Sequence, residues 1–263
     1  MLRRHVNPLG SPLYRFPWDL FPEIASHLTR ETDLVNATHV SYHLRHTLIS
    51  RSSLWSHLNF VHETRACAFF ERSGQAPLHV NLCRDDTGSV ASLAELCQES
   101  RRITTLRIYY WPAQKMFLSE SSPSLRRLEI YYERYDDEEW DRRSNTDGAP
   151  AWGPTKKATS WSFPFLTSLI IDRLRHIPFH TPHLTRFRFS GQDGAASTDK
   201  LVSFLENCPL LEHINVTHTD LHQTEHDLVS LPRLRTYTEA TFGEACTLAV
   251  LNVLSLPPSV PSH

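Results

Sequence analysis

The stretch "LTSLII" (residues 166–171) decides the reading of this chain. Leu166, Leu169 and Ile171 follow the order apolar-x-x-apolar-x-apolar. The last two lie two residues apart, the side-chain period of a strand with one buried face. The pattern returns at Ile103/Leu106/Ile108, Leu125/Leu128/Ile130, Leu184/Phe187/Phe189 and Leu211/Ile214/Val216. A weaker copy stands at Leu234/Tyr237, with Glu239 at the third apolar position. First positions are separated by 22, 41, 18, 27 and 23 residues. One short strand cannot bury its apolar face alone, whereas stacked copies bury a continuous core.

A period of 20–29 residues around an L-x-x-L-x-L core is the signature of leucine-rich repeats. The expectation is therefore an α/β chain whose residues 61–256 form an irregular leucine-rich-repeat solenoid with short parallel strands. The 41-residue interval has two readings: two repeats with one lost, or one repeat interrupted by an insertion at 131–157. Connectors are Pro-rich at "SSPSL", "HTPHL" and "SLPRL". "TDKLVSFLENCPLL" reads as a helix capped by Thr198 or Asp199. Upstream, "APLHVNL" (76–82) alternates Leu78, Val80 and Leu82 as a strand, and Val90, Leu93 and Cys97 recur at helical spacing. The chain closes on "LAVLNVLSL", read as an apolar helix, and a Pro-rich tail at 257–263.

Working back to the N-terminus, a tail at 1–15 precedes "FPWDLFPEIASHL" (16–28). Phe16, Leu20, Ile24 and Leu28 recur every four residues, as one helix face requires. Proline in a helix interior costs about 3 kcal/mol, so Pro22 fits only within the first turn. With Asp19 as cap, Pro22 is the third helical residue and Glu23 faces the positive helix end. "TRETDLVNATHV" offers Thr32 or Asp33 as a cap, with Leu34, Ala37 and Val40 behind it. Val40, Leu44 and Leu48 then run at i, i+4, i+8 until Ser50-Arg51-Ser52-Ser53 breaks the pattern before Leu54-Trp55 and Leu58. Three short helices make too small a core to stand alone, and such a unit leaves an apolar face for something else to cover.

The run from Phe16 to Leu58 resembles an F-box of the kind common in fungal F-box proteins. The Leu-Pro-x-Glu-Leu opening and the following Glu-Ile-x-x-x-Leu are met by Phe16, Pro17, Asp19, Leu20, Glu23, Ile24 and Leu28. The later Asp-Leu, Val-Cys-x-x-Trp-Arg and Leu-Trp are met by Asp33-Leu34, Val40, Arg45 and Leu54-Trp55, with Ser41 in place of Cys, Leu44 in place of Trp and Ser52 in place of a frequent Pro. The resemblance implies a helical module at 16–60 that binds a Skp-type adaptor and, through it, a cullin–RING ubiquitin ligase. The repeats would then hold a protein target. It further implies that Pro17, Leu20, Ile24, Leu28 and Val40 supply the adaptor-binding face. Leu44, Leu54 and Trp55 either complete that face or seal the module's own core. Asp19, Glu23 and Arg45 form its polar rim. The alternative is a leucine-rich-repeat scaffold whose divergent F-box has no ligase role.

Other function classes find little support. A net charge of −2 and the absence of a basic run argue against nucleic acid as a partner. No stretch approaches the ~18 apolar residues of a membrane span, and Arg3-Arg4 is followed by no apolar leader segment. Five scattered cysteines without a C-x-x-C pair fit reduced thiols in a cytoplasmic or nuclear protein. Neither G-x-G-x-x-G nor a P-loop is present, so no phosphate-binding cofactor is expected, and no G-x-S-x-G elbow marks a nucleophile. His218, His222 and His226 stand at successive fours and could ligate a metal from one helix face, making a metal-dependent enzyme a third hypothesis. Without the H-E-x-x-H order the segment reads better as a polar surface loop. His39/His43/His46 and His176/His180/His183 lack cysteine or carboxylate partners at ligand spacing. "YDDEEWD" (135–141) reads as a solvated charge run whose aromatic residues could anchor a partner. The expectation is thus a chain with no catalytic residues, no metal and no cofactor.

Overall fold

A computed structural model describes residues 17, 20–28, 30–82, 90–109, 122–131, 161–172, 179–190, 198–217, 229–240 and 254–255. They divide into two compact units, one within 1–58 and 64–78, the other within 59–63 and 79–263.

The first unit is helical. Helix α1 spans Leu20–Ser26, so Pro22 is its third residue, where its missing N–H removes no intrahelical bond. Asp19, the expected cap, lies outside the described residues. Helix α2 spans Glu31–Val40. It starts ahead of the expected caps: Arg30 stands at the N-cap with no side-chain bond, and Thr32 and Asp33 fall inside the first turn. Helix α3 is Tyr42–Ile49. The apolar spacing of Val40, Leu44 and Leu48 therefore does not belong to one helix. Ser41 adopts extended backbone between α2 and α3, and its Oγ accepts a hydrogen bond from Leu44 N at 3.1 Å. This cap explains why a serine serves at that position. Ser41→Ala is expected to lower the unit's stability by about 1 kcal/mol and Ser41→Asp to retain it, read as the urea midpoint.

A 3₁₀ turn, Ser52–Trp55, follows α3. The unit then extends past residue 60 through helix α4, Glu63–Ser73, whose Phe69 packs edge-on against Trp55 with ring centroids 4.9 Å apart. Gly74 follows α4 at φ 52°, a left-handed conformation that strains any residue with a Cβ.

The chain is mixed α/β, with an eight-stranded sheet ordered β1-β2-β3-β4-β6-β8-β9-β11. The strands are His57–Asn59 (β1), Leu78–Leu82 (β2), Ile103–Tyr109 (β3), Arg127–Tyr131 (β4), Ser168–Asp172 (β6), Arg186–Ser190 (β8), His213–Thr217 (β9) and Thr236–Ala240 (β11). From β3 to β11 each neighbouring pair is parallel. Registers place Leu106, Leu128, Leu169, Phe187, Ile214 and Tyr237 in one row and Ile108, Ile130, Ile171, Phe189, Val216 and Glu239 in the next. All of these up to Tyr237 are buried, so the six-residue pattern is the core-facing side of the ladder. β4 pairs directly with β6 across the 41-residue interval; of the expected insertion at 131–157, all but Tyr131 lies outside the described residues.

Each strand of the eight-stranded sheet from β4 onward is entered through the same turn. The residue before proline and the first leucine of the pattern are linked by a backbone bond: Leu125 N to Ser122 O, Leu166 N to Phe163 O, Leu184 N to Thr181 O, Leu211 N to Cys208 O and Leu234 N to Leu231 O, at 3.1–3.2 Å. Proline pre-sets φ for the second residue of a β-turn. Ahead of three of these turns lie short strands, Trp161–Ser162 (β5), Phe179–His180 (β7) and Val229–Ser230 (β10); with Leu254–Ser255 (β12) they pair in parallel as β5 with β7 and β10 with β12. Leu254-Ser255 thus form a strand where an apolar helix was expected.

Helix α5 is Val90–Gln98 and helix α6 is Thr198–Glu206. α6 begins at Thr198, so both expected caps, Thr198 and Asp199, fall within its first turn. Its Leu201, Val202, Phe204 and Leu205 are buried, and Phe204 meets Phe187 at 4.9 Å. Beside it, burial pushes the Cys208 thiol up to about 11, and the Thr181 hydroxyl offsets part of that rise, so the thiol is neutral at neutral pH. Among the described residues no helix is long and apolar enough to cross a membrane.

Candidate functional site

Two surfaces carry groups that the folded core does not use. The first is the helical face. On α1, Ala25 is buried and Phe21 and Pro22 are half-buried, which turns the opposite side outward. Leu20 and Ile24, one helical turn apart, are 47% and 50% exposed, and Leu28 just beyond the helix is also exposed. Pro17 is exposed, and Glu23 lies between the two apolar residues on the solvent side. Val40, at the last position of α2, is 62% exposed because Ser41 interrupts the helix before Val40 can join the Leu44–Leu48 stripe.

The other three sequence-derived residues sit differently. Leu44 and Trp55 are buried and Leu54 is half-buried. Trp55 is fully enclosed: its Nε1–H donates to Leu48 O at 2.9 Å, Phe69 meets its ring and the Arg72 guanidinium lies 4.8 Å from its centroid. Of the two roles open to Leu44 and Trp55, the geometry gives them the core. Arg45 is also anchored, with Nε donating to Thr38 O at 3.0 Å and its guanidinium 3.1 Å from His39 Nδ1. Sequence reasoning missed Tyr42 and Ile49, both exposed. With Arg45, His46 and Ser50 they line a shallow, open depression of about 230 Å³ on α3.

The second surface is the outward side of the sheet, where the alternate residues of each ladder strand point away from the core. Glu129 on β4 is only 7% exposed although it faces outward. Arg127 Nε donates to it at 2.6 Å, the Tyr131 hydroxyl donates at 3.1 Å, and Arg107 Nε lies 3.6 Å away. Tyr109 and Tyr131 stack at 5.3 Å, with the Arg107 guanidinium 4.6 Å from the Tyr131 centroid. Burial, followed by the Glu129 carboxylate, pushes the Tyr131 phenol above its ordinary value, which keeps the proton it donates. Further along the face, Arg186 and Arg188 of β8 are exposed.

Among the described residues no three His, Cys, Asp or Glu side chains gather as metal ligands. His218, His222, His226, His176 and the 135–141 charge run lie outside the described residues. Comparison with models of known protein families gives no match, and comparison with curated protein sequences gives none either.

Proposed function

We propose that this chain is the substrate receptor of an SCF-type ubiquitin ligase. Pro17, Leu20, Ile24, Leu28 and Val40 dock a Skp-type adaptor, and the repeated strands, read as an irregular leucine-rich-repeat array, hold a protein target. The chain makes and breaks no bonds itself; it brings the target close to the conjugating machinery, and proximity supplies the rate. On this reading it works in the cytoplasm or nucleus without a cofactor, metal, membrane or nucleic acid.

One observation carries the proposal. The helical unit encloses its own core, with Leu34, Leu44, Leu48 and Trp55 buried, yet leaves Leu20, Ile24, Leu28 and Val40 to solvent. Those four are among the apolar positions shared with the F-box pattern, and the shared Leu34 and Trp55 are the ones the unit buries, whereas single exposed apolar residues elsewhere need no partner. Co-expression with a Skp-type adaptor tests it. Co-elution through size exclusion is the expected result. A chain that elutes alone while retaining its helical circular dichroism would instead be an interaction scaffold with no ligase role.

A further inference from the structure

We infer that the outward face of β8 and its neighbours binds an extended acidic peptide. The outward positions of β3, β4, β6, β8 and β9 carry four arginines (107, 127, 186 and 188) against two carboxylates, Glu129 and Asp172. The chain as a whole carries −2, so positive charge is segregated onto this face. Glu129 is already engaged by Arg127 and Arg107. Among the described residues, Arg186 and Arg188 form no ion pair.

Geometry selects the ligand's shape. Arg186 and Arg188 stand two residues apart on one strand, a separation of about 6.6 Å at the usual rise. An extended peptide presents alternate side chains at the same spacing, so acidic groups at i and i+2 meet the two guanidinium forks in register. Arg127 shares a register row with Ser168 and Arg186, two strands or about 10 Å across, and extends the positive face beside them. The exposed fork of arginine accepts carboxylate or phosphate oxygens bidentately. A second observation marks the same face. Asn81 Oδ1, Arg107 Nε and Asn215 Oδ1 are the shielded side-chain atoms left without a hydrogen-bond partner among the described residues, and all three belong to outward-facing residues. Asn215 is the register neighbour of Arg188. Buried polar groups are ordinarily satisfied; Arg107 Nε has the Glu129 carboxylate at 3.6 Å, and Asn215 Oδ1, beside Arg188, is an acceptor for a backbone N–H of the peptide.

The inference rests on the receptor reading only in taking the peptide as part of a target; binding itself does not depend on it. The test is fluorescence anisotropy with the full chain and short labelled peptides carrying Glu, phosphoserine or Gln at alternate positions. The Glu or phosphoserine peptide is expected to bind at least about tenfold tighter than the Gln peptide, and more weakly as salt rises. Arg186→Glu/Arg188→Glu should weaken that binding at least about tenfold, whereas Arg233→Glu, on an exposed turn, should leave it unchanged. If the double charge reversal unfolds the chain, Arg186→Gln/Arg188→Gln replaces it with the same expectation. Preference for phosphoserine would identify a phosphorylated segment, and equal or better binding of Glu a carboxylate-rich one. Equal binding of all three peptides, no binding of any, or an equal loss in Arg233→Glu overturns the inference. No adaptor enters the assay, so its failure leaves the docking proposal standing, and the converse also holds.

Discussion

Leu20→Asp combined with Ile24→Asp is expected to weaken adaptor binding at least about 100-fold while lowering the chain's stability by no more than about 2 kcal/mol, the share of the two side chains already buried in the fold. Both side chains are about half exposed, so docking can still remove roughly half of each from water. Burying a whole aliphatic side chain is worth about 1.5–3 kcal/mol, so the remaining area contributes about 1 kcal/mol per residue. Aspartate adds a larger opposing term, because a carboxylate desolvated against apolar surface without a partner costs several kcal/mol. The sum exceeds the ~2.8 kcal/mol that corresponds to two decades in affinity. In the free chain both positions face solvent, and a carboxylate there is hydrated. Titration calorimetry against the adaptor, with urea denaturation of the same preparations, separates the two quantities. Unchanged affinity would remove α1 from the docking face; a large stability loss would show that Leu20 and Ile24 belong to the core.

Trp55→Ala is expected to do the reverse, destabilising the helical unit by about 3–5 kcal/mol, enough to unfold a marginal unit at ambient temperature. The substitution removes the edge contact to Phe69, uncovers the space beneath Arg72 and leaves the Leu48 carbonyl without the indole donor. That carbonyl lies in the last turn of α3 and also accepts from Arg51 N at 3.2 Å, so the indole N–H is its second donor. Trp55→Phe should retain much of the packing while losing the hydrogen bond. Urea denaturation followed by helical circular dichroism reads the difference. A loss below about 1 kcal/mol for Trp55→Ala would contradict its placement as the keystone of the unit.

The ladder was legible because its code is local: alternate apolar residues on a short strand, repeated, dictate which side faces the core. Leu106, Leu128, Leu169, Phe187, Ile214 and Tyr237 could be aligned from sequence, and the registers put them side by side. The proline turn was only half legible. Pro123, Pro182 and Pro232 read as connectors from sequence, but "FPFL" (163–166) and "CPLL" (208–211) fill the same role. The missed signal was the buried residue before each proline, hidden because Ser122, Phe163, Thr181, Cys208 and Leu231 share burial and not chemistry. "WSFP", "FHTP" and "VSLP" mark the short strands ahead of the turns, and the like order of "LSLP" marks Leu254–Ser255 as a strand and not a helix. On the helical unit, periodicity named a face of α1 but not its direction. Phe21 and Ala25 form a second face of equal spacing, and only packing decides which one turns inward. Val40 was misaligned with Leu44 and Leu48 because a one-residue break at Ser41 leaves the spacing intact while ending the helix. The sheet's charged face depends on residues brought together from as far apart in the chain as Arg107 and Arg188, and no local pattern announces it.

The central claim is that the exposed apolar positions of α1 and the end of α2 are a protein-docking face. Amide hydrogen exchange of the full chain, with and without a saturating Skp-type adaptor, tests it most directly. The account predicts slowed exchange in 20–28 and around Val40, with the strands β6, β8 and β9 unchanged. Unchanged exchange in 20–28, or slowing confined to the sheet, would contradict it.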